Sequence, residues 1–175
     1  MNQWDVIVVG GGHAGIEAAP IAATLGARVG LVTLNVSSLG RMSCNPAIGG
    51  LAKGQMVREI DVLGGIMGVV TDKSGLQFKL LNKSKGKSVW SPRAQVDKRQ
   101  YEKTVSGAVS SHKNVNIIED EVVRLKIKNY AVSGVVFRSG ESLTCGAVVL
   151  TCGTFLNGLI HVGQKKIRAG RMGES

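Results

Sequence analysis

The stretch Asp-Val-Ile-Val-Val-Gly-Gly-Gly-His-Ala-Gly at residues 5–15 decides the fold. Its first half is a short apolar run, which is typical of a buried strand in a parallel sheet. The chain then turns through glycines into an alanine-rich segment at 16–25, which predicts a helix. Gly10, Gly12 and Gly15 have the spacing G-x-G-x-x-G. The first glycine permits a tight turn, the second lets backbone approach a pyrophosphate, and the third lets helix and strand pack closely.

A second apolar segment at 27–33 follows the predicted helix and completes a strand–helix–strand unit. In that context the glycine motif predicts dinucleotide binding, because the helix N-terminus offers N–H groups and partial positive charge to phosphates. The alternative is a glycine-rich turn without a ligand, which leaves the run of adjacent glycines without a purpose.

The end of the second predicted strand departs from the usual pattern. NAD-binding units place an Asp or Glu about 20 residues beyond the glycines to hold a ribose hydroxyl. Here that place falls near Thr33, and no acidic residue occurs between Glu17 and Glu59. Thr33 or Asn35 could hydrogen-bond a ribose without charge. Pro20 lies in the body of the first helix, where we expect a kink or an early 3-10 turn.

Composition indicates one globular domain. The 175 residues can bury a core, and 43% of them are hydrophobic. No apolar run reaches the length of about 20 residues that crosses a bilayer, and no signal peptide is recognised.

The cysteines are Cys44, Cys145 and Cys152, an odd number without metal-ligand spacing, so we expect a reduced, cytoplasmic setting and no metal. Cys145 and Cys152 are interpreted as core residues.

The net charge of +10 favours a polyanionic partner, although solubility alone explains such charge equally well. Residues 79–103 carry eight basic side chains against two acidic ones. Lys83, Lys85 and Lys87 lie in a predicted loop at 82–88 within this segment. We treat them as candidate nucleic-acid contacts, with a solvated surface as the alternative.

The middle of the chain predicts further elements around a polar loop at 34–50. A helix is expected at 51–63, with an apolar core face and a glycine pair as its end; that face is formed by Ala52, Met56, Ile60 and Leu63. A half-buried strand is expected at 76–80. A second helix is expected at 94–110, with Arg93 and Asp97 spaced to pair on one helical face.

The last third predicts strands. A short apolar strand is expected at 115–118. Short strands at 122–127, 132–137 and 142–145 suggest an antiparallel meander, and a separate buried parallel strand is expected at 147–151.

Five motifs in this order carry a family resemblance. They are GGGHAG at 10–15, SCNPAIGG at 43–50, REIDVLGG at 58–65, SPRAQ at 91–95 and GTFL at 153–156. The chain thereby resembles the GidA/MnmG family, the tRNA uridine 5-carboxymethylaminomethyl modification enzymes. The resemblance implies an α/β fold, a Rossmann-like FAD-binding domain of the glutathione reductase type with a parallel sheet, helices and an antiparallel β-meander. In that type the closing strand usually ends Ala-Thr-Gly, where this chain has Thr151-Cys152-Gly153.

The resemblance also implies an activity. Such enzymes use FAD to modify the C5 position of the wobble uridine of certain tRNAs, with NADH as reductant and methylenetetrahydrofolate as carbon donor. They work with tRNA, a GTPase partner and a second copy of themselves, in the cytoplasm and away from membranes. Family members are far longer, so residues 1–175 are expected to be a truncated, single N-terminal part of the FAD-binding domain, inactive alone, with the NADH site elsewhere.

The resemblance and the residues together name candidate sites. FAD binding is expected at Gly10, Gly11, Gly12, His13, Ala14 and Gly15, with the backbone of Val122 at the adenine. Lys53 and the loop before it should lie near the isoalloxazine. Cys44 is a candidate nucleophile, because Arg41 and a nearby helix start favour its thiolate, and a small buried thiol is the alternative.

Two other functions remain open at this point. One is a different FAD-dependent oxidoreductase that acts on a small molecule. The other is a non-catalytic, basic RNA-binding module. Bound flavin separates the enzymes from the module, and specific tRNA binding separates the tRNA enzyme from the small-molecule oxidoreductase.

Overall fold

The fold is a parallel sheet flanked by helices, with two smaller sheets attached. The computed structural model describes residues 3–42 and 45–170. Its strands are β1 (Trp4–Val9), β2 (Val29–Thr33), β3 (Ala47–Gly49), β4 (Gly75–Leu81), β5 (Ser91–Val96), β6 (Val115–Glu119), β7 (Val122–Lys128), β8 (Ala131–Phe137), β9 (Ser142–Leu150), β10 (Leu159–Val162) and β11 (Lys165–Arg168). Its α-helices are α1 (His13–Thr24), α2 (Lys53–Val62), α3 (Met67–Ser74) and α4 (Lys98–Ser110).

The main sheet has the strand order β6-β2-β1-β9-β8-β7. Its first four strands are parallel, with Val8 of β1 opposite Leu31 on one side and opposite Val149 on the other. The Val- and Ile-rich run of β1 is buried because both faces of this sheet are covered. The predicted strand–helix–strand unit is therefore confirmed.

The meander is also confirmed, with one correction. β7, β8 and β9 pair antiparallel in sequence. The strands expected separately at 142–145 and 147–151 form one continuous strand, β9, which pairs with β8 through its first half and with β1 through its second. The second half is also less buried than expected, since Val149 and Leu150 are exposed.

The core lies on both faces of the parallel sheet. On one face α1 and α4 pack against β1, β2 and β6 through a cluster that includes Ile16, Leu31 and Val105. On the other face the meander covers the sheet, with Phe137 and Cys145 in that second cluster. Helix α4 presents Tyr101, Val105 and Val109 to the core, in agreement with the predicted inward face, while Ala108 is half-buried.

The predicted start of α4 is wrong. Residues 91–96 form β5, which lies between β3 and β4 in a three-stranded antiparallel sheet. Arg93 is therefore in a strand and does not share a helical face with Asp97. Instead the Asp97 carboxylate caps α4 by accepting from the Gln100 N–H at 2.9 Å. The loop expected at 34–50 also contains β3 and a short 3-10 turn.

The expected core face of α2 is wrong as well. Met56 and Leu63 are 58% and 74% exposed, and the described burial in α2 is confined to Gly54. The apolar periodicity predicted the helix correctly, but it could not predict whether another element covers the apolar face. The adjacent α3 was not predicted. In β4, Leu76 and Phe78 are exposed rather than half-buried, although the strand itself is present.

Pro20 interrupts no secondary structure. Helix α1 continues through it as an α-helix from His13 to Thr24, and Pro20 is buried. Of the kink or early 3-10 turn expected there, the 3-10 turn is not formed. None of the helices in the described part of the chain is long and apolar enough to cross a membrane.

Candidate functional site

Four parallel strands end at the same edge of the main sheet. The glycine loop begins where β1 ends, and the ends of β2, β6 and β9 lie beside it. Open parallel α/β sheets bind ligands beyond the carboxyl ends of their strands. This edge is therefore the place where the fold offers a site.

Hydrogen bonds hold the glycine loop from three sides. The N–H of Gly10 donates to Val32 O at 2.8 Å, and the N–H of Gly40 donates to Gly11 O at 2.9 Å. On the β9 side, the Thr151 hydroxyl donates to Val9 O at 2.8 Å and lies 3.0 Å from Gly10 O. These hydrogen bonds fix the shape of the loop.

Gly10 and Gly15 are required by close packing against backbone atoms. Gly10 has φ +117°, and a Cβ there would lie 2.6 Å from Thr151 O. A Cβ at Gly15 would collide with the carbonyl oxygen of Gly10 and approach Thr151 Oγ1 to 3.0 Å. The absence of a side chain at Gly15 therefore lets α1 start directly against the end of β1.

Gly12 is different, because a Cβ there would meet nothing within 4 Å. It is the N-cap of α1, with extended backbone, and among the described residues no side chain caps the helix. The first turn of α1 contains no acidic residue. The helix N-terminus thus faces open space with its N–H groups and positive dipole end, which is the geometry that binds phosphate. A pyrophosphate fits the residues present.

His13 and Ala14 begin α1. The imidazole of His13 packs against the ring of Tyr101, with 5.8 Å between ring centroids, so it is directed toward α4. Burial lowers the pKa of His13 and favours the neutral ring. Its Nε2 atom and the Tyr101 hydroxyl are buried without a hydrogen-bond partner in the described structure. These features indicate that the His13 side chain has a packing role. Only the backbone N–H of His13 then belongs to the phosphate-binding part of the glycine loop.

Val122 is the first residue of β7 and is half-buried. The segment before it is fastened to the end of β2, since the Asp120 N–H donates to Thr33 O at 3.1 Å. Val122 therefore lies near the edge that carries the glycine loop, where the resemblance places an adenine.

Cys44 lies outside the described residues. The segment before it is tied to the glycine loop through Gly40, and the segment after it joins β5 through the pairing of Ala47 with Gln95. Lys53 is the exposed first residue of α2. The described contacts of its loop run to β5, where the Gly50 N–H donates to Pro92 O at 2.8 Å.

Lys83, Lys85 and Lys87 lie together on the connection between β4 and β5. They belong to two short 3-10 turns, on which all three lysines are exposed. The Trp90 indole N–H closes this connection by donating to Lys83 O at 3.2 Å.

Two contributors were not recognised in the sequence. Thr151 fastens the glycine loop to β9, and its sequence signals were its place at the end of a strand and in the turn Thr151-Cys152-Gly153. Glu17 joins α1 to α3, because its carboxylate accepts from the Ile66 and Met67 N–H groups at 3.0 and 2.6 Å. Burial raises the pKa of Glu17 against the effect of these hydrogen bonds.

The remaining cysteines have structural positions. Cys145 is buried, and burial raises the pKa of its thiol, whereas Cys152 is half-buried. In the described ranges no group of three or more His, Cys, Asp and Glu side chains is placed to hold a metal ion.

Fold and site together define a Rossmann-like fold of the FAD-binding class. The family profile described as glucose inhibited division protein A matches residues 5–175. The chain belongs to this family, which confirms the resemblance drawn from the five motifs.

Individual members of this family are similar to the chain in sequence and in structure. The chain is 52% identical over 175 residues to the tRNA uridine 5-carboxymethylaminomethyl modification enzyme MnmG of Karelsulcia muelleri, covering all of this chain and 29% of the relative. It superposes on the form II crystal structure of Aquifex aeolicus GidA with a TM-score of 0.93 and 52% identity, over 99% of this chain and 29% of that one. The GidA-related protein of Thermus thermophilus shares the fold at 19% identity, with a TM-score of 0.65 over 98% and 63% of the two chains. The chain thus spans less than a third of the length of its curated relatives.

Proposed function

We propose that this chain is the FAD-binding part of an enzyme that installs a carboxymethylaminomethyl group at C5 of the wobble uridine in tRNA. The observation that carries the proposal is the open, uncapped N-terminus of α1 above Gly12. It occurs in a chain that is 52% identical to relatives named for this modification.

The cradle at residues 10–15 would hold the pyrophosphate of FAD. The N–H groups at the start of α1 would bind the phosphate oxygens, and the bonds from Thr151 and Gly40 would keep the loop in place without the ligand. The backbone of Val122 would contact the adenine. Bound FAD supplies the redox chemistry of the reaction.

The catalytic residues we propose are Cys44 and Lys53. The thiolate of Cys44 would attack the uracil ring or accept a carbon unit, and Lys53 at the start of α2 would stabilise negative charge on a reduced flavin. Methylenetetrahydrofolate would donate the carbon, and NADH would reduce the flavin through a site outside this chain.

The partners we propose are tRNA, a GTPase and a second copy of the full-length protein, in the cytoplasm and with no role for a membrane. Lys83, Lys85 and Lys87 support the tRNA assignment, since neighbouring cations on one connection can contact successive phosphates.

Flavin binding tests the core of the proposal. In Gly12→Val the new side chain enters the open space over α1, so FAD uptake should be abolished while the fold persists. Gly107→Val is the matched control, because a Cβ at this exposed glycine of α4 also meets nothing within 4 Å and lies away from the loop. Equal FAD uptake by wild type and Gly12→Val, measured by flavin fluorescence, would refute the assignment of the loop.

tRNA binding tests the basic connection. Changing Lys83, Lys85 and Lys87 together to alanine should weaken tRNA binding and flatten its salt slope by up to about three units, roughly one for each phosphate contact. The control changes three exposed lysines in other parts of the chain, Lys113, Lys128 and Lys165. An unchanged slope in the first variant would make the connection a solvated surface.

Covalent catalysis is tested by Cys44→Ser in the full-length protein. This change keeps size and polarity but removes most of the nucleophilicity. Uridine modification should fall by orders of magnitude, while flavin content and tRNA affinity stay near wild type. Modification near the wild-type rate would leave Cys44 as a structural residue.

A further inference from the structure

The adenosine end of the site lacks the acidic residue that usually follows the second strand. The two polar residues at the end of β2, Thr33 and Asn35, already make hydrogen bonds to neighbouring residues. Thr33 is 6% exposed, and its hydroxyl donates to Asn35 O at 3.3 Å. The Asn35 side-chain oxygen accepts from Ser37 N at 2.8 Å and from Ser37 Oγ at 2.6 Å. Thr33 is buried, and the two lone pairs of the Asn35 side-chain oxygen are occupied, so neither residue presents an exposed, free acceptor to a ribose hydroxyl.

The neighbouring strand brings a carboxylate to the same place. β6 pairs with β2 in parallel register, with Glu119 directly opposite Thr33 at the carboxyl end of both strands. Residues in register on adjacent strands point to the same face of a sheet, about 4.8 Å apart. The Glu119 carboxylate reaches over the segment after β2, because its Oε2 accepts from the Val36 N–H at 2.7 Å.

Glu119 is the first of three consecutive acidic residues. The carboxylates of the other two already accept hydrogen bonds within or beside the meander. Asp120 accepts from Ser139 Oγ and from the Glu121 N–H, both at 2.6 Å. Glu121 accepts two hydrogen bonds from the Arg138 guanidinium, at 2.6 and 2.7 Å. Glu119 is exposed, and its Oε1 has no hydrogen bond to the residues that the structure describes. A carboxylate has about four acceptor positions, so one contact to Val36 leaves most of them available.

We infer that the Glu119 carboxylate accepts the ribose hydroxyls of the adenosine moiety, in the role that an acid at the end of β2 has in other dinucleotide-binding units. The inference rests on the proposed function, since it assumes that the glycine loop holds the pyrophosphate. The hydrogen bond to Val36 orients the carboxylate, and the hydrogen bond from Asp120 to Thr33 keeps the two strand ends together.

The test compares two nucleotides that differ only in the ribose. ADP and 2′,3′-dideoxyadenosine 5′-diphosphate both carry the adenine and the pyrophosphate. The wild-type chain should prefer ADP by roughly tenfold or more, because hydrogen bonds to a charged group are among the stronger ones. Glu119→Gln should bring the two affinities within about twofold, mainly by weakening ADP. The glutamine amide oxygen can still accept from Val36, so the loop is retained.

Matched controls distinguish the outcomes. Glu121→Gln changes an acid two residues away that is bound to Arg138, and it should keep the wild-type preference. A merely structural role for Glu119 would weaken both nucleotides equally, and a wild-type preference retained in Glu119→Gln would overturn the inference; either result assigns the ribose elsewhere. Failure of the wild type to bind either nucleotide would overturn the proposed function as well.

Discussion

Gly15→Ala should destabilise the chain through a clash that the structure locates. The new methyl group would overlap the carbonyl oxygen of Gly10, lie 2.9 Å from the Gly10 carbonyl carbon and lie 3.0 Å from Thr151 Oγ1. Two of these atoms belong to backbone that is anchored to Val32, and the third is the hydroxyl that fastens the loop to β9. Relief therefore requires the loop to move away from α1.

The magnitude follows from two opposing effects. Overpacking of a fitted site costs about 1–3 kcal/mol, and alanine in a helix interior regains up to about 1 kcal/mol relative to glycine. With the clash against backbone at the upper end of that range, we expect a net loss of about 2 kcal/mol in the free energy of unfolding. Equilibrium unfolding in urea measures it, and with a slope of about 2 kcal/mol per molar urea the midpoint should fall by about 1 M.

Gly12→Ala is the control in the same loop. Its backbone has φ −73°, which alanine adopts without strain, and its Cβ would meet nothing within 4 Å. The midpoint should stay within about 0.25 M of wild type, which corresponds to roughly 0.5 kcal/mol. Gly15→Ala with wild-type stability, or Gly12→Ala with the larger loss, would refute the steric reasoning for this loop.

Three further predictions concern the body of the domain. Tyr101→Phe removes a buried hydroxyl that has no partner in the described structure, so stability should be unchanged or rise in urea unfolding. Arg138 lowers the pKa of Glu121, and the stability that depends on the carboxylate is present above about pH 4.3 and lost as the pH falls. Glu121→Gln should therefore be less stable than wild type at neutral pH, and unfolding curves in acid should converge. Met56→Ala on the exposed side of α2 should change stability by less than about 0.5 kcal/mol, whereas Val105→Ala in the core should cost about 2 kcal/mol, both measured by urea unfolding.

Local sequence patterns were sufficient for the strand–helix unit around the glycine loop. The apolar run of β1, the three spaced glycines and the alanine-rich start of α1 all favour the same structure, so β1 was placed to within one residue. The meander was predicted for the same reason, since alternation and turn residues agree along 122–145.

Pairing between distant segments was not predictable in this way. Residues 94–96 were assigned to the helix expected at 94–110, yet they belong to β5 because β3 and β4 supply hydrogen bonds on both sides. The apolar stripe of α2 predicted burial, but burial depends on which element covers a face, and that information lies outside the helix. Glu119 could not be connected with Thr33 from sequence, because 86 positions separate them and only the order of strands brings them together.

Backbone amide NMR shows whether the start of α1 binds the pyrophosphate of FAD. On titration with FAD, the amide signals of Gly12, His13 and Ala14 should shift most, because these residues form the uncapped start of α1, where a Cβ at Gly12 would meet only open space. The amide of Val122 should shift as the adenine binds. Shifts confined to other parts of the chain, with the glycine-loop amides unchanged at saturating FAD, would mean that the start of α1 does not bind the pyrophosphate.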